Sequence, residues 1–276
     1  MKNTIKIVLL LVFVFSNKLA KTQSLYVVNS HCKMPNDTVM VYTPNKYNND
    51  SITTYPAVIL LNGYGGNFRQ WSKVSDLQLY ADEYQMILIC PDGFYDSWYI
   101  DSPIDTNSCY STYFKQEILP SIFEQYRIDK NNLFITGLSM GGHGALYLFI
   151  QNSEYFAAVG SMSGVLDLKY SSVANTSLAK KIGPKQTDNP NWETYSVINQ
   201  AIKLKEINKP IIINCGSEDF LIKVNRRFAT KCKNLGINIV YAESPGKHDR
   251  IYWKLTLPSQ LMFFRQFVQK NKRYEY

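Results

Sequence analysis

Residues 135–146 read ITGLSMGGHGAL and hold five glycines and serines within eight positions, with the hydroxyl of Ser139 at their centre. Gly137-Leu138-Ser139-Met140-Gly141 has the spacing G-x-S-x-G, directly after an apolar run at 133–136 and directly before a helix-like segment at 140–151. Turning from strand to helix within two residues forces the serine into a sparsely populated backbone conformation. Glycines two positions to either side then let the chain pass close to itself. The hydroxyl is presented at a helix N-terminus, where free amides and the helix dipole favour developing negative charge. The chemistry this suits is nucleophilic attack on an acyl carbon.

A serine hydroxyl needs a base, and the chain has three histidines. His31 precedes the first strand-like segments and is remote from the C-terminal ends of the central strands. His143 lies four residues beyond Ser139 on the same helix and reads as a packing residue, with the base role as its alternative. His248, in ESPGKHDRIYW after an apolar run, opens at the same sheet edge as the serine and is the better base. The acid that orients it should follow another strand end, between serine and histidine in chain order. Gly216-Ser217-Glu218-Asp219 supplies it, and Asp219 is preferred over Glu218, since the more distal carboxylate reaches across from the loop; Asp249 reads as a surface residue.

The tetrahedral intermediate needs two amide donors. Met140, next after the serine, gives one; the glycine-rich stretch Gly63-Tyr64-Gly65-Gly66 gives the other, with the Tyr64 amide preferred. Tyr64, Phe68, Trp71, Phe94, Tyr95, Trp98 and Tyr99 crowd the loops expected to rim the cleft. Such rings stack on sugars or aryl groups, and Trp71, Trp98 and Tyr99 are the candidates to touch substrate.

Positioning these groups requires a particular scaffold. Apolar runs at 57–61, 86–90, 133–136, 157–161, 211–214 and 237–241 are continuous rather than alternating, as in strands covered on both faces. Helix-like segments at 113–126, 140–151, 222–235 and 258–270 lie between and after them. The expectation is one α/β domain with a mainly parallel central sheet, helices on both faces, and two antiparallel edge strands at 25–28 and 38–42. Periodicity weakens over 167–209, which reads as an excursion over the top of the sheet and a partial lid.

With these residues placed, the chain resembles the esterase family of α/β-hydrolases that includes formylglutathione hydrolases, tributyrin, feruloyl and acetyl-xylan esterases, and mycolyl transferases. The matching stretches include LLNGYGGNFRQW, PDGFYDSWYIDSP, GLSMGGHGALYL, CGSEDFLIKVNRRF and PGKHDRIYW, within about residues 55–267. The resemblance implies an α/β-hydrolase fold with Ser139 as nucleophile, Asp219 as acid and His248 as base. It also implies short-chain or sugar-linked carboxylic esters as substrates, and no cofactor. Asn62 stands where such proteins usually carry histidine, and Lys247 where a glycine is common. An altered tuning of the oxyanion loop without loss of activity is expected from the first, and a changed charge at the cleft mouth from the second.

Composition bounds the remaining questions. Residues 1–22 hold lysines at positions 2, 6, 18 and 21, no acids, and an apolar stretch at 7–15, the layout of a secretory leader. That stretch is far short of the ~20 residues a spanning helix needs, so no stable membrane insertion is expected. The mature domain is read as residues 23–276, exported to the periplasm or beyond. The formal charge of +8 falls to +4 without the leader's four lysines, and the remaining cations are interspersed with acids, which argues against a nucleic-acid partner. Five scattered cysteines with no CxxC argue against a metal site; Cys90 and Cys215 read as buried thiols, while Cys32 or Cys109 could pair in an exported protein. An acyltransferase using the same triad, or a carbohydrate-binding protein without catalysis, is the alternative reading to an ester hydrolase.

Overall fold

The computed structural model describes residues 22–31, 33–170, 177–185 and 188–268. The leader expected at 1–22 therefore lies, save for Thr22, outside the described residues. Eight strands form one sheet: β1 Gln23–Val28, β2 Asp37–Tyr42, β3 Tyr55–Leu61, β4 Ile87–Cys90, β5 Ile128–Gly137, β6 Ala158–Met162, β7 Ile211–Gly216 and β8 Val240–Ser244. Their order is β1-β2-β4-β3-β5-β6-β7-β8. Pairing is antiparallel where β2 meets β1 and β4, and parallel from β4 through to β8.

The unbroken hydrophobicity of the central strands has a direct cause. Successive side chains point to opposite faces. Val58, Leu60, Leu88, Phe134 and Ile212 pack on one face, and Ala57, Ile59, Ile89, Ile135 and Ile213 on the other. Helices Gln70–Val74, Leu77–Tyr84 and Arg250–Gln266 cover the first face. The second is covered by Met140–Gln151, Ala201–Ile207, Ile222–Asn234 and a helical run from Tyr110 to Gln125 with a π-turn at Phe114–Ile118.

Several element boundaries differ from the sequence expectation: β5 begins at Ile128, five residues before the expected run, through polar Asp129, Lys130 and Asn131, and the helical run expected from 113 begins at Tyr110, while two further differences bear on the histidine loop. The last strand lies three residues later than 237–241, because the preceding helix ends in a reversal: Gly236 takes φ +69° and the Ile237 amide returns to Cys232 O at 2.9 Å. Ile237 and Ile239 spend their apolar surface on that turn, leaving β8 as an exposed edge strand. The last helix begins at Arg250, eight residues before Pro258, which sits inside it. Asp249, read as a surface residue, is its N-cap and accepts from the Tyr252 amide at 3.0 Å. Buried Tyr252, Trp253, Leu257, Leu261 and Phe264 hold the helix on the sheet across the proline.

The stretch 167–209 is packed rather than loose in its described parts. Short helices Ala179–Ile182, Asn191–Thr194 and Ala201–Ile207 each bury side chains, and among these Trp192 donates to Gly183 O at 3.1 Å. Cys90 and Cys215 are buried as expected, Cys232 is buried too, and Cys32 lies outside the described residues.

Candidate active site

Strand β5 ends at Gly137 and the next helix begins at Met140, so the turn spans Leu138 and Ser139. Ser139 takes φ 55° and ψ −116°, a conformation that side chains rarely adopt. Both flanking glycines are sterically required. A Cβ on Gly137 would lie 2.3 Å from Gly141 O, and one on Gly141 would lie 2.4 Å from Leu61 O. The helix thus starts hard against the neighbouring strand, and Ser139 is held by its amide donating to Met162 O at 2.9 Å.

His248 lies four residues beyond the end of β8, and Asp219 three beyond the end of β7. Adjacent parallel strands bring both loops to the C-terminal edge of the sheet where Ser139 stands. His248 Nδ1 donates to the Asp219 carboxylate at 2.9 and 3.0 Å. Its Nε2 is then left to accept from Ser139 Oγ at 2.9 Å. Asp219 is 2% exposed. Burial alone would raise its carboxyl, but the hydrogen bond and charge of His248, the neighbouring Ser163 hydroxyl and the Leu221 amide outweigh it and hold it below the ordinary carboxylate range. Glu218 points to solvent.

The other two histidines are elsewhere. His31 is exposed beside Glu117. His143 is fully buried, stacks on Tyr147 and bonds Tyr195 O through Nε2 at 3.0 Å. Burial, the largest cause, pushes it down to about 4.

On the facing loop, three of four backbone amides are occupied. Gly63 donates to Gln70 Oε1 at 2.6 Å, Gly65 to Tyr95 O at 2.8 Å and Gly66 to Gly63 O at 3.0 Å. Tyr64 takes no part in these bonds. On the nucleophile helix Gly141 and Gly142 bond Leu138 O and Ser139 O, at 2.7 and 3.0 Å, and Met140 again stands apart. Among the described residues, the two amides singled out as oxyanion donors are those the surrounding turns leave uncommitted. Asn62 ties its loop to the next one: its Oδ1 accepts from the Gly93 amide at 2.8 Å and its Nδ2 donates to Gly63 O at 3.0 Å. Lys247 is exposed beside the histidine loop.

Ser139 and His248 open on a cleft of about 280 Å³. Trp98 lines it, with its indole donating to Ser177 Oγ at 2.8 Å. Trp71 and Tyr99 are corrections to the sequence reading, since neither belongs to the cleft wall. Trp71 is 1% exposed and bonds Leu61 O at 3.0 Å beneath the sheet edge, and Tyr99 is fully buried with its hydroxyl on Asn62 O at 2.8 Å. The cleft is instead walled by Val165, Phe220 and Trp253, none of which the sequence reading singled out. Phe220 lies 4.5 Å from the His248 ring and Trp253 meets it edge-on at 5.1 Å. Their signal was adjacency: one follows Asp219 directly and the other comes five residues after His248.

Among the described residues no group of three or more His, Cys, Asp or Glu side chains is arranged to hold a metal ion, and no helix is long and apolar enough to cross a membrane. The strand order, the strained serine between β5 and its helix, and the histidine delivered after β8 define an α/β-hydrolase. The family model described as "Putative esterase" matches residues 32–264, and the chain belongs to this esterase family of carboxylester hydrolases. It is 25% identical over 247 residues to an acetyl esterase of Caldicellulosiruptor saccharolyticus, covering 82% of this chain and 92% of that protein. The S-formylglutathione hydrolase of Bos taurus is 23% identical over 250 residues, covering 82% and 85%. A solved structure of a ferulic acid esterase superposes with a TM-score of 0.77 at 23% identity, over 89% of this chain and 98% of that one.

Proposed function

We propose that the chain hydrolyses short-chain or sugar-linked carboxylic esters through Ser139, His248 and Asp219. His248 Nε2 takes the Ser139 proton as Oγ attacks the ester carbonyl. The carbonyl oxygen becomes an oxyanion received by the Tyr64 and Met140 amides. Collapse expels the alcohol, which takes the proton back from His248, and leaves an acyl-serine. Water, deprotonated by the same imidazole, then releases the acid and regenerates the hydroxyl. Asp219 holds the imidazole in the required tautomer and stabilises its charged form.

The observation that carries this reading is the relay of 2.9 Å contacts from Ser139 through His248 to Asp219 at the floor of the cleft. A cleft of about 280 Å³ with Trp98, Leu138, Val165, Phe220 and Trp253 on its walls suits a short acyl group. Relatives named for acetyl esters, ferulic acid esters and S-formylglutathione set the range of acyl groups and leaving groups to try, and within it acetyl or feruloyl xylan is the sugar-linked form we favour. Purified protein is expected to hydrolyse p-nitrophenyl acetate and butyrate, with Ser139→Ala and His248→Ala each losing roughly 10⁴-fold or more of kcat. Undiminished turnover by Ser139→Ala would end the assignment.

A further inference from the structure

Between β4 and the helical run at Tyr110, three aromatic residues that are not glycine adopt positive φ: Phe94 at 52°, Trp98 at 52° and Tyr99 at 61°. Backbone of this kind is strained and persists only where other contacts over-determine it. The contacts are specific. Gly93 donates to Asn62 Oδ1, Tyr95 O accepts from Gly65, and the Tyr99 hydroxyl donates to Asn62 O, at 2.8 Å in each case. All three end on the loop that carries the Tyr64 amide.

Tyr99 is also the piece for which two glycines make room. A Cβ on Gly93 would lie 2.1 Å from the Tyr99 hydroxyl, and a Cβ on Gly144, in the helix that begins at Met140, would lie 2.1 Å from its ring. One fully buried side chain therefore touches the strained loop, the helix of one oxyanion donor and the carbonyl two residues before the other donor.

We propose that Tyr99 is a positioning residue of the oxyanion hole: packed on Gly144 and bonded to Asn62 O, it sets the Tyr64 amide at a fixed distance from the Met140 amide. This rests on the catalytic reading above. A donor displaced by a fraction of an ångström loses alignment with the oxyanion, while ground-state binding is little altered.

Tyr99→Phe keeps the ring and removes one oxygen. With p-nitrophenyl butyrate, and rates divided by the number of sites titrated with a fluorophosphonate, kcat is expected to fall about tenfold, less than the hundredfold or more for deleting a donor, with KM within about twofold. The Ki of a trifluoromethyl ketone, whose hemiketal oxygen occupies the hole, should rise by the same factor as kcat falls. A merely structural tyrosine would lower thermal stability and move neither quantity. Gly93→Ala retains the hydroxyl but drives a methyl into it, so it should reproduce both changes and serves if the first variant folds poorly. In whichever variant folds, a kcat per titrated site within about twofold of wild type, or a fall in kcat without the matching rise in Ki, overturns the proposal. Inactivity of the wild-type protein would instead overturn the assignment of Ser139.

Discussion

At the scale of single residues, neighbouring carboxylates are sorted by burial. Asp219 is buried against the imidazole while Glu218, one residue earlier, faces solvent. Asp219→Asn, which removes the acceptor that fixes the His248 tautomer, is expected to lose about 10⁴-fold in kcat, against no more than about twofold for Glu218→Ala, measured with the same p-nitrophenyl ester. His143 supplies a test of a different kind. Its folded form is held at about 4 by burial, below the ordinary histidine value of about 6.5. Between those values the unfolded chain binds a proton that the folded chain refuses, so stability rises with pH across this window and is lost as pH falls through it. Urea unfolding at pH 7 and pH 4.5 should show wild type losing roughly 2 kcal/mol more than His143→Gln over that interval. The triad residues were legible in the sequence because three histidines and a fixed chain order leave few combinations. Trp71 and Tyr99 were misread for a physical reason: an aromatic residue in a loop near the cleft has the same composition signal whether its ring faces the ligand or fills the space beneath it.

At the scale of elements, the tightness of the serine turn makes a direct demand. Gly141→Ala would press a methyl against two backbone carbonyls, at 2.4 Å from Leu61 O and 2.6 Å from Asn62 O, and neither can swing aside as a side chain could. A fall in Tm of roughly 10 °C, together with loss of most esterase activity, is expected by differential scanning calorimetry and the p-nitrophenyl assay. The cap of the last helix is a milder case. Removing the Asp249 carboxylate should cost about 1 kcal/mol, or a Tm shift of about 3 °C, and lower kcat as well, since the capped turn begins one residue after His248. That cap also shows what the sequence withheld. An aspartate before a helix is indistinguishable from a surface charge until the buried face of Tyr252, Trp253 and Leu257 is seen packed on the sheet, and a proline within the helix drew the expected start eight residues too late. The buried stretches of the central strands were found to within two residues, because burial on both faces writes itself as uninterrupted apolar sequence, whereas the first five residues of β5, with Asp129, Lys130 and Asn131 outside the core, carried no such signal.

At the scale of the whole molecule, the sheet places one antiparallel pair outside its parallel core, and this pair meets the amino-terminal segment. Strand β1 begins at Gln23, opposite Tyr42, and Thr22 O accepts the Thr43 amide at 2.8 Å. Among the described residues, the first pairing of the sheet is made by Thr22 and Gln23. We propose that residues 1–22 form an export leader whose removal leaves the Gln23–Val28 register on β2 intact and costs only the Thr22–Thr43 contact. A chain lacking residues 1–21 should keep its Tm within about 1 °C of the processed protein and its esterase activity unchanged, because no ladder bond of β1 is lost. Expressed with its leader, the protein recovered outside the cytoplasm should begin, by mass spectrometry of its amino terminus, within a few residues of Gln23. Retention of residues 1–20 in that fraction, or confinement of all activity to the cytoplasm, would refute a leader, and the apolar stretch at 7–15 would then need a partner in the folded domain. Cleavage well past Gln23 would conflict with the fold itself, since each residue removed from β1 unpairs one rung of the ladder that protects β2 from becoming an exposed edge.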